Sequence, residues 1–474
     1  MSTWRELLGR DNRAPMVVMA GGVALFAINV YLTTSLLPSA VADIGGQDLY
    51  AWTMTVFLVV SVISSMLVSR WLAGFGARRS YVWAFALFAA GTVVAGASPT
   101  MTVMLVGRAL QGFGAGLLGG LGFAVVRLVL APHLWQRSIA LMSAMWGVGN
   151  FVGPVVGGFF AQIHFWRGAF GLLTLLALAL ALIAMTLRAL PVRRTSGEPA
   201  AAVPWMSLAL LTTAVGAISV ASLVHGIATS TLLAFAVLAG LGFVGWERRA
   251  SSRVLPETTY RGRSPLRWIY LAILVLAAVS TVETFLPLFG QRIGGLGPLA
   301  AGFLGAALSW GWTVASISAS GIESERGRRA VRICGPLLLG SGLILYGLLQ
   351  MRDPAPGVIV AWYAALFVGG CGIGMAMAHW FTAGLRVTDD EAEAAQASAG
   401  LNTSQLIANA CGSALAGLLV ALGGPDIVGS ARVLSFGFAA LAFCGIAVAL
   451  REFAVDRRMR EPDSPTRRGG RRSG

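Results

Sequence analysis

Apolar stretches of 18 or more residues recur from Met16 almost to Ala449, and each is long enough to cross a hydrocarbon core of about 30 Å as a helix. Only 12% of the residues are charged and 56% are hydrophobic, whereas an ordinary globular domain carries about 25% charge. A water-soluble fold could not hide that much apolar surface. In a bilayer the backbone must satisfy its own polar groups, and segments of this length do so as helices. The sequence therefore reads as an all-α integral membrane protein. Met1 to Pro15 is polar and arginine-bearing, so the apolar run that follows reads as a retained first span rather than a cleaved signal.

Apolar runs set against polar breaks predict fourteen spans. Six lie near 16–38, 50–72, 80–97, 100–130, 138–162 and 168–188; two near 204–226 and 229–246; and six near 266–290, 297–320, 331–350, 357–385, 398–422 and 431–450. This divides the chain into a six-helix half (1–190), two additional helices with their linkers (191–265), a second six-helix half (266–450) and an arginine-rich tail (451–474) expected to be disordered.

All 35 basic residues are arginine, and their placement orients the chain. Four fall on one side of the alternating spans, Arg167, Arg292, Arg352 and Arg432, against 29 on the side of the termini; Arg108 and Arg127 lie inside the fourth span. By the positive-inside rule both termini are expected in the cytoplasm. The net charge of +15 thus reflects topology, and scattered short clusters do not form a nucleic-acid-binding face. Cys334, Cys371, Cys411 and Cys444 fall in apolar spans without metal spacing and read as small buried hydrophobes. No cofactor is expected: the spans offer no His, Asp and Glu cluster, no catalytic triad and no phosphate-binding glycine loop.

Two elements carry more specific information. The fourth span holds Arg108-Ala-Leu-Gln111-Gly112-Phe-Gly114-Ala-Gly116, an arginine costly in lipid followed by small residues that permit close helix approach. The fifth holds Gly147-Val-Gly149-Asn150-Phe-Val-Gly153-Pro154-Val-Val-Gly157-Gly158, a glycine face interrupted by a proline that favours a kink. In this order and spacing they resemble the Arg-x-x-Gln-Gly and Gly-Pro-x-x-Gly-Gly motifs of the major facilitator superfamily, the second a mark of its drug/proton antiporters. The 6+2+6 division resembles the fourteen-helix branch. Leu37-Pro38, Phe165-Trp166-Arg167, Phe285-Leu-Pro287, Gly297-Pro298 and Ala399-Gly400-Leu401-Asn402-Thr403 extend the similarity.

The resemblance implies proton-coupled export of amphipathic or lipophilic small molecules across a bacterial cytoplasmic membrane, by a monomer in which two halves rock around a central site. The implied partners are the substrate, H⁺ and membrane lipids. It further implies a cavity lined by Asn29, Thr33, Gln111, Asn150, Phe285, Trp310 and His379; packing through Gly149, Gly153, Pro154, Gly157 and Gly158; and gating loops carrying Arg78, Arg79, Glu323, Glu325 and Arg328. A dedicated exporter of one metabolite or lipid, a symporter, and a non-transporting receptor or scaffold stand as alternatives.

Departures shift the chemistry. The loop aspartate expected after the second span is Ala73, and the acid commonly found nine residues before Pro38 is Asn29, an amide that neither titrates nor neutralises a cation. Glu283 is the acid well inside a span, roughly 25 Å along the ninth helix from Pro265 at ~1.5 Å per residue. That depth is comparable to that of Arg108. Intramembrane ionisable residues mark function, so Glu283 and Arg108 are the expected proton-coupling residues, against the simpler reading of a static ion pair between them. His379 is a candidate relay or a satisfied buried histidine, and His225 an interfacial one.

Overall fold

The computed structural model describes residues 4–186, 202–260, 264–385 and 391–460, and these form helices and no strand. The tail expected to be disordered lies outside them from residue 461 onward. The fourteen apolar helices are α1 (Arg10–Ile44), α2 (Trp52–Met66), α3 (Val68–Gly96), α4 (Met101–Val129), α5 (Trp135–Gln162), α6 (Trp166–Thr186), α7 (Trp205–Ala221) and α8 (Ile227–Glu247). The second half comprises α9 (Leu266–Arg292), α10 (Pro298–Ala319), α11 (Glu325–Leu348), α12 (Pro356–Leu385), α13 (Glu391–Leu422) and α14 (Ile427–Arg460). Among the described residues thirteen helices are long and apolar enough to span alone; α7, with 17 residues, is shorter and pairs with α8.

Local chemistry sets the ends. Thr100 caps α4 by accepting from the Val103 amide, Ser324 caps α11 by accepting from Gly327, and Pro298 opens α10 where its missing N–H is not needed. Gly45 ends α1 with φ 72°, and Gly76, with φ 71°, breaks Val68–Gly96, so residues 68–75 prolong α2 before the third span begins. In α9, Thr281–Thr284 tighten into a 3₁₀ turn just before Pro287, which places Glu283 at the break.

In lipid the hydrophobic effect does not drive helices together, so close van der Waals contact must. Added Cβ atoms at Gly112 and Gly116 would run into the backbone of Phe57 and Ser61 on α2, and at Gly107 and Gly114 into α3. Gly149, Gly153 and Gly157 do the same for α5 against Ala27, Tyr31 and Leu32 of α1. Gly370 and Gly374 of α12 meet Leu308 and Trp312 of α10 in the second half. Each half thus packs internally through glycine-backbone contacts, while α8 stays outermost, with Val237, Leu238 and Leu241 all more than 60% exposed. Cys334 and Cys444 also lie on the outer surface, which corrects the expectation that all four cysteines are buried: helix phase, not span membership, decides which face meets lipid.

The end of the bundle bearing Arg10 and His133, joined by the Glu6–His133 contact, is the termini face; the end bearing Ile44, Gln162 and Leu422 is the loop face. Contacts between halves concentrate toward the loop face. Gly158 abuts Leu299 and Pro298, the Pro154 carbonyl faces Gly302, Tyr50 stacks on Phe285 at 5.0 Å, and Thr55 donates to Ser413 at 3.1 Å.

Gly112→Leu should lower the melting temperature in detergent, with overpacking costing about 1–3 kcal/mol. Gly240→Leu, whose Cβ has nothing within 4 Å on α8, should not; thermal unfolding of the two variants decides.

Candidate functional site

Two polar clusters sit on opposite sides of α1. Asn29 and Thr33 are four residues apart and share one helical face, whereas Tyr31 between them points about 200° away. Asn29 and Thr33 face α4, where Arg108 lies with no exposed surface. Arg108 Nη1 donates to Gln111 Oε1 at 2.8 Å, Asn29 Oδ1 at 3.2 Å and Thr33 Oγ1 at 3.3 Å. Its Nε donates to the Thr53 carbonyl at 3.1 Å, and the guanidinium lies 4.2 Å from the centre of the Phe57 ring. Gln111 Nε2 extends the network to Asn29 Oδ1 and Thr92 Oγ1. Every partner described for this cation is neutral. Arg108 Nη2 and Asn29 Nδ2 remain buried without an acceptor.

The second cluster joins the halves. Ser309 Oγ on α10 donates to Glu283 Oε1 at 2.5 Å, and Tyr31 Oη meets the same Ser309 oxygen at 3.2 Å. A carboxyl on α9, a hydroxyl on α10 and a phenol on α1 form one hydrogen-bonded line across the seam. Tyr31 and Glu283 are each partly exposed, unlike the sealed Arg108 cluster. Glu283 and Arg108, placed at similar depth by the sequence, make no ion pair: α1 stands between their partners.

The other expected lining residues separate. Asn150 follows Gly149 at the α1–α5 contact with Oδ1 unpartnered, and Trp310 neighbours Ser309 with Nε1 unpartnered and its ring 5.5 Å from Phe303. Phe285 is 2% exposed at the contact between the halves, stacked between Tyr50 and Phe289. His379 lies away from both clusters, at the termini face, where its Nε2 meets the Ala319 carbonyl at the end of α10. Beside it Arg332 pairs with the buried Glu452 at 3.2 Å and lies over Trp380. The gating-loop residues lie at that same face: Arg78 and Arg79 follow Gly76, Arg328 donates to the Glu323 carbonyl at 2.7 Å, and Glu325 pairs with Arg329 one turn on.

Sequence reading missed Tyr31 and Ser309, whose hydroxyls look ordinary until α1 and α10 meet. It also missed Glu247, the last residue of α8. Its fully buried carboxylate accepts from Ser207 Oγ, the Val254 and Leu255 amides and Tyr260 Oη.

Apolar membrane-length helices packed around a polar midsection are the architecture of a membrane transporter. The family comparison agrees: residues 19–392 match the Major Facilitator Superfamily model, and the chain belongs to that superfamily. It is 43% identical over 462 residues to a probable multidrug-efflux transporter of Mycobacterium tuberculosis, covering 96% of this chain and 98% of that one. Identity is 24% with a multidrug efflux pump of Staphylococcus aureus (67% and 71% covered), and 27% with a triacylglyceride transporter of Mycolicibacterium hassiacum (81% and 75%). Among solved structures, an auto-inhibited POT family peptide transporter superposes with TM-score 0.67 at 17% identity, covering 96% of this chain and 98% of that one. The nucleoside transporter NupG gives 0.64 at 13%, covering 94% and 99%. At such identities these structures share the fold alone.

Asn29→Asp would set a carboxylate against Arg108 Nη1 in place of an amide, converting a neutral contact into a charge-assisted one. A stabilisation of about 1–2 kcal/mol is expected, read as a raised melting temperature in detergent.

Proposed function

We propose that this transporter is a proton-coupled exporter of amphipathic or lipophilic small molecules in a bacterial cytoplasmic membrane, with both termini in the cytoplasm. The arginine bias supports that orientation, and the mycobacterial relative supports the efflux direction. In this orientation the loop face, where Gly158, Tyr50 and Thr55 meet the second half, is extracellular.

The observation that carries the proton coupling is the Tyr31–Ser309–Glu283 line. An ionised Glu283 accepts from Ser309, whose oxygen then accepts from Tyr31, so both hydroxyls point toward the charge. A protonated Glu283 can donate instead, which reverses both bonds. Protonation therefore changes the link between α1 of one half and α9–α10 of the other, at the place where rocking must make and break it. A substrate that displaces Ser309 or the proton from Glu283 exchanges with H⁺ by the same contact. Arg108 acts from behind α1: it fixes Asn29, Thr33 and the start of α2, holding the helix that carries Tyr31.

Glu283→Gln should abolish dye export driven by a pH gradient in everted vesicles while leaving substrate counterflow between equilibrated compartments. Pumping at the unaltered rate by well-expressed Glu283→Gln protein would defeat this reading. Tyr31→Phe, which keeps the ring and removes the hydroxyl, should weaken pH-gradient-driven export without altering the melting temperature by more than a degree or two, since one part-exposed hydrogen bond contributes about 1 kcal/mol.

A further inference from the structure

The two membrane-facing seams between the halves differ, and the inserted helices make the difference. Along one seam α2 meets α13. Near the loop face Thr55 bonds Ser413 and Ala51 lies against Gly417. Toward the termini face, Val62 of α2 and Ile407 of α13 join Val203, Leu208 and Val254 in an apolar cluster separate from the main core. Met66, Leu67, Leu211, Phe243 and Leu406 pack around it. Leu208 belongs to α7, and Val254 to the linker that follows α8. Glu247 holds this bracket together, tying α7 through Ser207 and the linker through Val254, Leu255 and Tyr260. Farther along the linker, Pro256 lies where a Cβ on Gly400 of α13 would be 3.0 Å from its ring. One carboxylate thereby clamps a module that covers the α2–α13 seam.

Along the other seam α5 meets α10, and among the described residues no helix covers it. Gly158 and Pro154 touch α10 near the loop face. One to four turns of α5 further on, the same face presents Phe151 at 59% exposure, Gly147 with nothing within 4 Å of a Cβ, and exposed Ala144 and Ala140. On α10, Ser309, Thr313 and Ile317 follow at four-residue steps. Ser309 is buried against Tyr31, Thr313 is exposed, and Ile317 is 71% exposed, with Val314 beside it at 51%. This mostly apolar stripe leads from the bilayer at the termini-face end directly to the Ser309–Glu283 contact. Its occupant must be apolar along most of its length and end at a proton-exchanging group.

We propose that the α5–α10 seam is a lateral portal through which amphiphilic substrates dissolved in the leaflet beside the termini face slide, apolar part first, to Ser309 and Glu283. The α7–α8 pair, clamped by Glu247, is the seal that closes the opposite seam. This rests on the transport reading above and adds the route and the leaflet.

The test uses the full-length protein with its native cysteines replaced, reconstituted in liposomes containing nitroxide-bearing phospholipid, and a bimane label at Ile317→Cys or Met66→Cys. Strong lipid quenching at position 317 and several-fold weaker quenching at 66 are expected. Glu247→Ala, or the milder Tyr260→Phe if that variant fails to fold, should raise quenching at 66 toward the level at 317. Equal quenching at both positions without any clamp variant would overturn the seal. In everted vesicles, Gly147→Trp, which fills open space, should raise the half-saturating concentration of a lipophilic dye several-fold and leave the maximal rate, whereas Gly240→Trp on α8 should change neither. An unchanged half-saturating concentration for Gly147→Trp would mean that only a resident lipid occupies the seam, and would overturn the portal. If the parent protein exports no dye at all, the transport reading fails, while the quenching pattern still decides the seal.

Discussion

The structure depends on backbone-to-backbone contact where glycines let helices touch. Lipid tails are as apolar as leucine, so burial alone gives these helices no reason to associate, and dispersion at close range has to hold them. Gly149, Gly153 and Gly157 bring α5 onto α1, and the same approach turns Asn29 and Thr33 toward Arg108 and Tyr31 toward Ser309. Both polar clusters are thus consequences of one helix being gripped closely from one side.

That arrangement separates two charges that a flat reading of depth would pair. Arg108 is satisfied by amide, hydroxyl, carbonyl and ring, and it is locked away from exposed space. Glu283 has a hydroxyl partner and partial exposure at a helical break. A buried ion pair would resist change, since removing either partner leaves an uncompensated charge. A carboxyl bonded to a serine carries no such obligation, because its partner is neutral.

Much of the fold was legible because the bilayer imposes a length on each span and a charge bias on each loop. The fourteen apolar runs became fourteen helices, and the two glycine motifs named the tight contacts before any neighbour was known. Residue depth was legible too, since rise per residue converts position into ångströms. Azimuth was not. Phe285 turned into the contact between the halves instead of open space, His379 lies at the termini face, and Cys334 and Cys444 face outward because a few tens of degrees of helix phase decide each case.

The sequence by itself determined that this chain lives in a membrane, how many times it crosses, and which superfamily it belongs to, because those follow from local length, composition and short motifs. Only the tertiary structure decided that Glu283 answers to Ser309 and Tyr31 rather than to Arg108. It alone showed that the buried Glu247 carboxylate ties α7 to the chain that follows α8. Partners hundreds of residues apart along the chain, such as Tyr31 and Ser309, are chosen by how helices rotate and lean against one another, and nothing in the spacing along the chain encodes that rotation.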